Sequence, residues 1–517
     1  MTNGRRGIFL TGATGLLGRF LLRDLLQAGY QVSVLVRDAR ERKAAERMRE
    51  IVDFCGESLG QTLPDPTLIV GDIRKPGLGL TPADRRWLAV SCDAVIHAAA
   101  SLDFNTTSDG EPWATNLAGT KHLLALCERL GISELHHVST AFVCGETDRL
   151  LYEDDLERGQ RFHNPYEESK YEAERLIRQT PGLRSTIYRP SMIVGDSGTG
   201  YTSSYHGIYR FMDLALRLSK PIQEPDGTTG IRRLLELRLP FTGDEPRNLV
   251  PVDWVARAIV QLVSHPETHG RTYHLVSPNP TSSRLIQAVA ASVLHLEGVR
   301  FAGSESIADR SPLERLFFDH LTEYAPYHRG DPSFDCRHLS AALPNLPAPR
   351  VDRDLLRRLV SFAVADRWGR GQRATVHSAA SESRLDCRRY IEESFPKAAR
   401  QSSLARSIGL EAVVGLDVRG PAGGQWTLTW IGGELIDVRR GLSENADAIY
   451  RLDATTFDRV IRGKQTPQQA FFAQRIEIEG NVEKGLKLAV LLEHFLAEAP
   501  VESPVSQEEP DALPQLA

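Results

Sequence analysis

A tyrosine and a lysine stand four residues apart in the segment HNPYEESKYEAERL, residues 163–176. Side chains at this spacing share one face of a helix, so Lys170 would lie beside Tyr166. A neighbouring ammonium favours the phenolate and lowers the pKa of tyrosine from its ordinary value of about 10. The pair therefore predicts a phenol that serves as an acid–base group, although the same spacing is also common on ordinary helices. Tyr171 is a weaker candidate, because Arg175 rather than a lysine follows it by four residues.

Hydroxyl and amide side chains upstream are able to assist this phenol. In LHHVSTAFVCG, residues 135–145, Ser139 and Thr140 follow a predicted strand. Either hydroxyl can hydrogen-bond a substrate carbonyl oxygen. Asn116 lies on a predicted helix. Its amide can hold a backbone group, hold a water in a proton relay, or simply pack the helix.

Three glycines form a turn between a predicted strand and a predicted helix in FLTGATGLLGRFL, residues 9–21. Gly12 permits a tight turn, Gly15 lets the backbone approach a pyrophosphate, and Gly18 lets the helix pack closely on the strand. The free N–H groups and the positive end of the helix would then bind the phosphates. A glycine turn without a ligand is the alternative. The predicted phosphate-binding residues are Gly12, Thr14, Gly15, Leu16, Leu17 and Gly18.

The end of the second predicted strand favours NADP(H). An acidic residue at this point bonds the ribose 2′-hydroxyl of NAD, whereas an arginine accommodates the 2′-phosphate of NADP. The segment VSVLVRDAR, residues 32–40, supplies Arg37. Asp38 follows directly and keeps NAD open, and a plain solvated charge is a further alternative for Arg37.

Two more strand ends are predicted to contact the cofactor. Asp72, followed by Ile73, ends the third strand, where its carboxylate meets the adenine amino group or forms an ordinary strand-end turn. Ala98 and Ala99 in HAAA, residues 97–100, are small enough to let the cofactor pass. We assign His97 itself to structure.

Short apolar runs alternate with helical patterns over the first ~270 residues. This alternation is typical of buried parallel strands that are covered by helices. The predicted fold class is α/β, a doubly wound parallel (Rossmann) sheet with a small substrate lobe. We expect this domain to span residues 1–370. Residues 371–383, which are small and polar, read as a linker.

A second, α+β domain is predicted over residues 384–499. The alternation in QWTLTWIGGELIDV indicates an antiparallel hairpin that turns at Gly432 and Gly433. The acidic, proline-rich residues 500–517 are predicted to be disordered.

These motifs occur in an order that resembles the extended short-chain dehydrogenases/reductases. The glycine turn, HAAA, NLAGT, HVSTAFVCG, the tyrosine–lysine pair and YRPSMIVG carry the likeness. HVSTAFVCG, NLVPVDWVARAIV and TYHLVSP resemble more narrowly the fatty acyl-CoA reductase and thioester reductase branch. The resemblance implies an NAD(P)-dependent oxidoreductase in which Thr140 holds the substrate oxygen, Tyr166 is the general acid/base and Lys170 supports it. Asn116 completes the implied catalytic group.

The second domain resembles the sterol carrier protein type 2 lipid-transfer domains. Its likeness rests on the stretch DATTFDRVIRGKQTPQQAFFAQRIEIEGNVEKGLKLAVLL, residues 453–492. The resemblance implies an apolar tunnel for an acyl chain, an acyl-CoA or a sterol. Phe457, Phe471, Phe472 and Leu488 are candidates for its lining, and each is equally compatible with an ordinary core.

The overall composition is that of a globular protein, with 41% hydrophobic residues, 25% charged residues and a net charge of −5. A nucleic-acid-binding protein would normally be basic, so this class is excluded. The six cysteines form no CxxC pair. We therefore predict no metal site, no disulfide framework and a cytoplasmic location. Neither a signal peptide nor a transmembrane run is found in the sequence.

The sequence predicts an NADPH-dependent reductase of a lipid carbonyl, foremost a long-chain acyl thioester reduced to an aldehyde or an alcohol. An acyl carrier protein is a candidate partner, and a homodimer is compatible with the sequence. One alternative is an NAD(P)-dependent dehydrogenase of a sterol or another lipid alcohol. The other alternative is a lipid-transfer protein whose cofactor-binding domain is not catalytic.

Overall fold

The chain divides into two compact units, Met1–Gly371 and Gln372–Ala517. The structure is a computed structural model that describes residues 6–39, 42–223, 229–303, 307–369, 387–401, 411–420, 423–462, 465–472, 475–480 and 485. The predicted linker 371–383 and the tail 500–517 lie outside these residues, so they stay predictions. No helix in the described part of the chain combines the length and apolar character needed to span a membrane.

Strands and helices alternate through the first unit, as the sequence predicts. Its strands are β1 (Gly7–Thr11), β2 (Gln31–Val36), β3 (Thr67–Val70), β4 (Ala94–His97), β5 (Glu134–Val138), β6 (Arg184–Pro190), β7 (Met192–Val194), β8 (Lys220–Gln223), β9 (Thr229–Leu239), β10 (Pro246–Arg247), β11 (Leu249–Pro251), β12 (Thr272–Leu275), β13 (Thr281–Ser282) and β14 (Leu296–Phe301). Its α-helices are α1 (Leu16–Gln27), α2 (Ala44–Leu59), α3 (Pro82–Ser91), α4 (Gly119–Leu130), α5 (Pro165–Arg178), α6 (Ile208–Leu218), α7 (Val252–Ser264), α8 (Ser283–Leu294), α9 (Pro312–Asp319), α10 (Arg337–Ala342) and α11 (Arg353–Ala365).

Seven of these strands form one parallel sheet in the order β12-β6-β5-β4-β1-β2-β3. Both faces are covered, so most strand residues are buried and apolar; the five residues of β1 are all buried. The strand order reverses between β1 and β4, and ligands of open α/β sheets bind outside the carboxyl ends of the strands at such a point. The predicted doubly wound fold is confirmed.

A smaller lobe follows the main sheet. Strands β8, β9 and β14 form a sheet of three strands, with α6, α8 and α9 in the same part of the chain. Helix α8 contacts β14, and α9 contacts both β9 and α6. This lobe corresponds to the predicted substrate lobe, and it brings the apolar faces of two helices and a sheet close together.

The second unit contains a five-stranded sheet of β15 (Ala412–Arg419), β16 (Gly424–Ile431), β17 (Glu434–Arg440), β18 (Ala448–Asp453) and β19 (Ile476–Gly480). Its strand order is β17-β16-β15-β18-β19, with the central pair β15 and β18 parallel. The hairpin between β16 and β17 turns at Gly432 and Gly433, both with positive φ, as predicted. Helical segments described in this unit are Cys387–Arg389, Tyr390–Ser394, Phe395–Gln401, α12 (Ala454–Ile461) and α13 (Pro467–Phe472).

Two of the four tunnel candidates have described side chains. Phe457 and Phe471 are 4% and 3% exposed and belong to the core of the second unit. The side chain of Phe472 and all of Leu488 lie outside the described residues.

Candidate active site

The glycine turn between β1 and α1 forms a cradle for an anionic ligand. Gly12 has φ +82°, and a Cβ there would lie 2.5 Å from the backbone of Ala98. A Cβ on Gly18 would lie 2.0 Å from the Gly12 carbonyl oxygen, whereas one on Gly15 would meet only that oxygen, at 3.4 Å. No side chain caps the start of α1 at Gly15. The N-terminal N–H groups of α1 are thus available, and the turn fits the pyrophosphate of a dinucleotide.

Replacing Gly18 with alanine should weaken dinucleotide binding, because the new Cβ would collide with the Gly12 backbone and push α1 away from β1. Overpacking of this kind costs about 1–3 kcal/mol, so we expect roughly tenfold weaker NADPH binding and a lower Tm. Calorimetric titration with NADPH checks the affinity. Gly56→Ala on α2, outside the cavity, is the control, and equal affinity for Gly18→Ala and wild type would contradict the cradle.

Helix α5 positions the tyrosine–lysine pair. Asn164 caps the helix by accepting from the Glu167 N–H at 3.0 Å, and Pro165 occupies the first turn. Because α5 begins at this point, Tyr166 lies in its first turn and Lys170 follows one turn later. Both side chains line the same cavity as the glycine turn.

The phenol of Tyr166 lies between the Thr140 hydroxyl and the ring of Phe104. The Thr140 hydroxyl hydrogen-bonds it, while burial raises the pKa of Tyr166 to about 12. The ring of Phe104 stacks on Tyr166 with centroids 5.9 Å apart. The expectation that Tyr166 has a lowered pKa is therefore wrong for this arrangement, since desolvation of the phenolate outweighs the hydrogen bond from Thr140.

Lys170 is directed at the backbone and not at Tyr166. Its Nζ donates to the Val138 carbonyl at 2.7 Å and lies 3.4 Å from Nε2 of His137. Burial lowers the pKa of Lys170 to about 8. Lys170 thus ties α5 to the end of β5, and its third proton remains available to a ligand in the cavity.

The structure separates the two candidate hydroxyls at the end of β5. The Ser139 hydroxyl donates to Glu174 at 2.8 Å, so it is engaged in the interior. Thr140 caps the short helical turn Ala141–Cys144 and contacts Tyr166. Of the two, Thr140 is the hydroxyl that hydrogen-bonds Tyr166 at the cavity.

Asn116 is a clamp between the backbone of Ser101 and the Ser169 hydroxyl. Its amide exchanges two hydrogen bonds with the backbone of Ser101, at 2.9 and 3.1 Å, and donates to the Ser169 hydroxyl at 2.9 Å. Ser169 in turn donates to the Tyr166 carbonyl. Asn116 is 1% exposed and does not line the cavity. Asn116 thus holds a backbone group, which is one of the roles predicted for it, and its part in catalysis stays a prediction.

His97 is structural, as the sequence indicates. Its Nδ1 lies 2.8 Å from the Thr11 hydroxyl and its Nε2 lies 3.1 Å from the Thr120 hydroxyl. Burial lowers the pKa of His97 to about 3, so the ring is neutral.

The predicted adenine-side residues lie outside the cavity wall. Arg37 is exposed at the end of β2, beside Arg47, whose pKa falls through burial and then through the charge of Arg37. The Asp38 carboxylate accepts from the Ala44 N–H at 2.8 Å and pairs with Lys43 at 3.5 Å. The Asp38 carboxylate, which would favour NAD if it bound the ribose, is therefore already hydrogen-bonded at the start of α2.

The four remaining residues predicted to contact the cofactor have different surroundings. Asp72 accepts from the Arg74 N–H at 3.0 Å, which is the ordinary strand-end turn. Ile73 is 8% exposed and packs near Gly119, so it does not face a ligand from within the cavity. The Ala99 N–H donates to the Thr11 hydroxyl at 3.3 Å, while Ala98 lines the cavity.

One cavity of about 600 Å³ joins the glycine turn, the catalytic group and the smaller lobe. Its far part, which we call the substrate chamber, has mostly apolar walls from α6, α8, β9, β14 and α9. The chamber residues that sequence reasoning missed include Ile208, Phe211, Met212, Ala215, Leu237, Leu239, Ile286, Ala290, Ala291, Leu294, Leu296, Val299 and Phe317. The helical periodicity of apolar residues in the sequence indicates the apolar faces of α6 and α8. It does not distinguish a cavity wall from a packed core.

Glu174 is a second feature that the sequence analysis missed. This carboxylate is fully buried and binds Arg189 at 2.7 Å, Arg178 at 2.8 Å and the Ser139 hydroxyl at 2.8 Å. The charge of Arg189 is the main lowering influence that overcomes burial and holds the pKa of Glu174 at about 2. Its position four residues after Lys170 was the available signal, since it places both on one face of α5.

Glu134, His136 and His269 bring potential metal-ligating atoms together at the amino end of β5. The Arg6 guanidinium pairs with the Glu134 carboxylate, and His136 lies 2.9 Å from the same oxygen. A cation in this position would meet the charge of Arg6, so we assign the group to hydrogen bonding beneath the sheet.

Family comparisons agree with this architecture. Residues 10–259 match the model of NAD-binding domains described as male sterility protein, and residues 393–493 match the SCP-2 sterol transfer family. The chain is 28% identical to the nonribosomal peptide synthetase asaC of Aspergillus flavus over 286 residues, 53% of this chain and 26% of that protein. It is 30% identical to the L-2-aminoadipate reductase large subunit of Penicillium chrysogenum over 297 residues, 53% of this chain and 19% of that protein.

Among solved structures, the terminal R domain of the myxalamid PKS-NRPS biosynthetic pathway is similar, with a TM-score of 0.56 and 26% identity over 71% of this chain and 92% of that one. A thiolation-reductase di-domain from an archaeal non-ribosomal peptide synthetase shares the fold, with a TM-score of 0.54 and 18% identity over 71% of this chain and 77% of that one.

The chain spans only about a quarter of asaC and less of the aminoadipate reductase. The predicted resemblance is confirmed for the first domain by its family model and the R-domain structure, and for the second domain by its own family model. The domain that contains residues 10–259 is therefore an NAD(P)-dependent oxidoreductase domain of the extended short-chain dehydrogenase/reductase type.

Proposed function

We propose that this protein reduces a long-chain acyl thioester with NADPH, releasing an aldehyde or an alcohol. The observation that carries the proposal is the single cavity in which the glycine turn, Thr140, Tyr166 and Lys170 open into an apolar chamber. An acyl chain lying in that chamber would present its carbonyl group to the two hydroxyls. The relatives that are nonribosomal peptide synthetases and reductases favour a thioester over a sterol.

The chain's own residues would perform binding, orientation and proton delivery. NADPH, when bound at the glycine turn, would supply a hydride to the carbonyl carbon. Thr140 would hold the carbonyl oxygen by a hydrogen bond, and Tyr166 would deliver a proton to that oxygen as it gains charge. The hemithioacetal formed in this way would then break its C–S bond, so that its hydroxyl proton passes to the departing thiolate and the aldehyde is released. Reduction of the aldehyde to an alcohol would take a second NADPH. The raised pKa of Tyr166 keeps it protonated and ready to donate. Lys170 would fix the start of α5 and bind the ligand with its remaining proton.

We propose that the second unit retains or delivers the lipid. Its match to the SCP-2 sterol transfer family supports this role. We also propose that the acyl group arrives on coenzyme A or on an acyl carrier protein, which the thiolation-reductase likeness suggests only at the level of fold. The five cysteines of the first unit form no disulfide, which agrees with the proposed cytoplasmic location.

We propose NADPH as the reductant because Asp38 is engaged at α2 while Arg37 is exposed beside Arg47 at the end of β2. Replacing Arg37 with aspartate should remove a phosphate-binding charge and introduce an acceptor for the ribose hydroxyl. One charge-assisted hydrogen bond is worth about 1.5–3 kcal/mol, so we expect the NADPH/NADH ratio of kcat/KM to fall roughly 10- to 100-fold. Steady-state kinetics with both cofactors measure it; Arg42→Asp is the control, and an unchanged ratio for Arg37→Asp would remove Arg37 from the site.

The proposed activity is tested by following NADPH oxidation with decanoyl-, palmitoyl- and stearoyl-CoA, and by identifying the products by mass spectrometry. NADP⁺ reduction with sterols and long-chain alcohols is measured in parallel. Turnover of the acyl thioesters is expected. Turnover of sterols alone would replace the proposal with a sterol dehydrogenase, and lipid binding without turnover of either class would identify a transfer protein.

A further inference from the structure

One wall of the substrate chamber is polar. Four cavity-lining residues form what we call the polar flank: Arg247 on β10, Ser283 and Gln287 on α8, and Asp331 beyond α9. The opposite walls, on α6, β9 and β14, are apolar. A plain alkyl chain would fill the chamber without using the polar flank at all.

Arg247 and Ser283 are anchored within the protein. The Arg247 guanidinium donates to the Ser283 hydroxyl at 3.0 Å and to the carbonyls of Tyr327 and His328. The Ser283 hydroxyl donates to the Glu245 carbonyl at 3.2 Å. Arg247 therefore fixes the flank in place through three of its five N–H groups.

Two acceptors of the polar flank have no donor in the described part of the chain. One oxygen of Asp331 accepts from the Asn248 N–H at 2.7 Å, but the other lies 4.0 Å from Arg247, beyond hydrogen-bond distance. The side chain of Asp331 is only 2% exposed. Gln287 donates its amide N–H to Val299 at 3.3 Å, and its amide oxygen is left without a hydrogen bond. Both acceptors are thus open to a hydrogen-bond donor in the cavity, Asp331 from a buried side chain and Gln287 from a half-buried one.

The polar flank lies next to the catalytic helix. Tyr327, whose carbonyl binds Arg247, donates its hydroxyl to Glu167 at 2.6 Å. Glu167 directly follows Tyr166 in the chain. The flank is thus connected to the start of α5 through Tyr327, and the opposite charges of Arg247 and Asp331 favour a neutral donor over an ammonium group.

We propose that the free acceptors of Asp331 and Gln287 bind N–H or O–H groups of the thioester, an inference that rests on the proposed function. Two parts of such a substrate offer these donors beyond the amide nearest its sulfur. They are the outer amide N–H and hydroxyl groups of a pantetheine arm and a hydroxyl substituent on the acyl chain.

Non-reactive thioethers test this inference by calorimetric titration of the full chain with NADP⁺ present. S-decyl-pantetheine carries the whole arm, S-decyl-N-acetylcysteamine carries a shortened arm, and S-(3-hydroxydecyl)-N-acetylcysteamine adds a hydroxyl to the chain. The variants are Asp331→Asn, which turns an acceptor into a donor, and Gln287→Leu, which removes the acceptor but keeps the helix. Asp244→Asn, an exposed aspartate of the same lobe, is the control.

We expect the wild type and Asp244→Asn to bind at least one donor-rich thioether about tenfold more tightly than S-decyl-N-acetylcysteamine. Both flank variants should narrow that ratio to about twofold or less. If the variants lose the preference for S-decyl-pantetheine, the flank binds the pantetheine arm. If they lose the preference for the hydroxylated compound, the flank binds the hydroxyl group of the acyl chain. Equal ratios in wild type and variants, or no preference in the wild type, overturn the inference. Binding preference without reduction of the matching thioester would refute the proposed function alone.

Discussion

Tyr166→Phe is expected to lower kcat for thioester reduction by about 10²- to 10⁴-fold, the usual contribution of a positioned general acid. The variant keeps the ring that stacks on Phe104 and loses only the hydroxyl that hydrogen-bonds Thr140. The affinity for NADPH should therefore change little. Single-turnover measurements of NADPH oxidation, with calorimetric titration of NADPH, separate the proton-transfer role from cofactor binding.

Tyr171→Phe is the matched control, because Tyr171 lies on the same helix and packs against Phe162 outside the cavity. Its kcat should stay near that of the wild type. A Tyr166→Phe enzyme with wild-type kcat would refute the acid assignment. Equal losses in both variants would point to damage of α5 instead of loss of a proton donor.

The features predicted from sequence are those that depend on neighbouring residues. The turn at Gly12, Gly15 and Gly18 requires glycine for local steric reasons, so its place between β1 and α1 is readable from the chain. The spacing of Tyr166 and Lys170 is likewise a property of one helix. Alternating strands and helices then predict the parallel sheet that places both motifs at the same edge.

The features that escaped prediction depend on contacts between distant segments. Ser139 and Thr140 are distinguished by Glu174, which lies 35 residues further along and accepts the hydrogen bond of the Ser139 hydroxyl. The direction of Lys170 is decided by a backbone carbonyl, at Val138, that no side-chain pattern reveals. The pKa of Tyr166 is raised by burial of its phenol. The spacing of Tyr166 and Lys170 in the sequence does not reveal this burial.

The ion pair of Glu174 and Arg189 gives the second large expected effect. Glu174→Leu should destabilise the first unit by about 3–5 kcal/mol, because it leaves the guanidinium of Arg189, which is 2% exposed, without its buried counter-charge. Urea denaturation followed by circular dichroism measures this loss. Glu172→Leu is the control on the same helix, since Glu172 pairs at the surface with Arg175 and should change the free energy of unfolding by less than about 1 kcal/mol.

A double variant separates the charge effect from loss of packing. Arg189→Met combined with Glu174→Leu removes both charges, and replacing a buried pair with apolar residues is often neutral. The double variant should therefore regain much of the stability that Glu174→Leu alone loses. If both unfold at the same urea concentration, packing and not the unpaired charge would account for the loss.

The pH dependence of stability gives an independent check on the same carboxylate. The pKa of Glu174 is about 2 in the folded chain against an ordinary value of 4.5. Stability from its ionised form is therefore fully present above about pH 4.5 and is lost as the pH falls toward 2. The difference in unfolding free energy between wild type and Glu174→Gln should accordingly shrink as urea denaturation is repeated from pH 6 down to pH 3. Ser139, Arg178 and Arg189 all bind the carboxylate of Glu174. If the difference in unfolding free energy between wild type and Glu174→Gln stays constant with pH, the charge of Glu174 is not what joins α5 to β5 and β6.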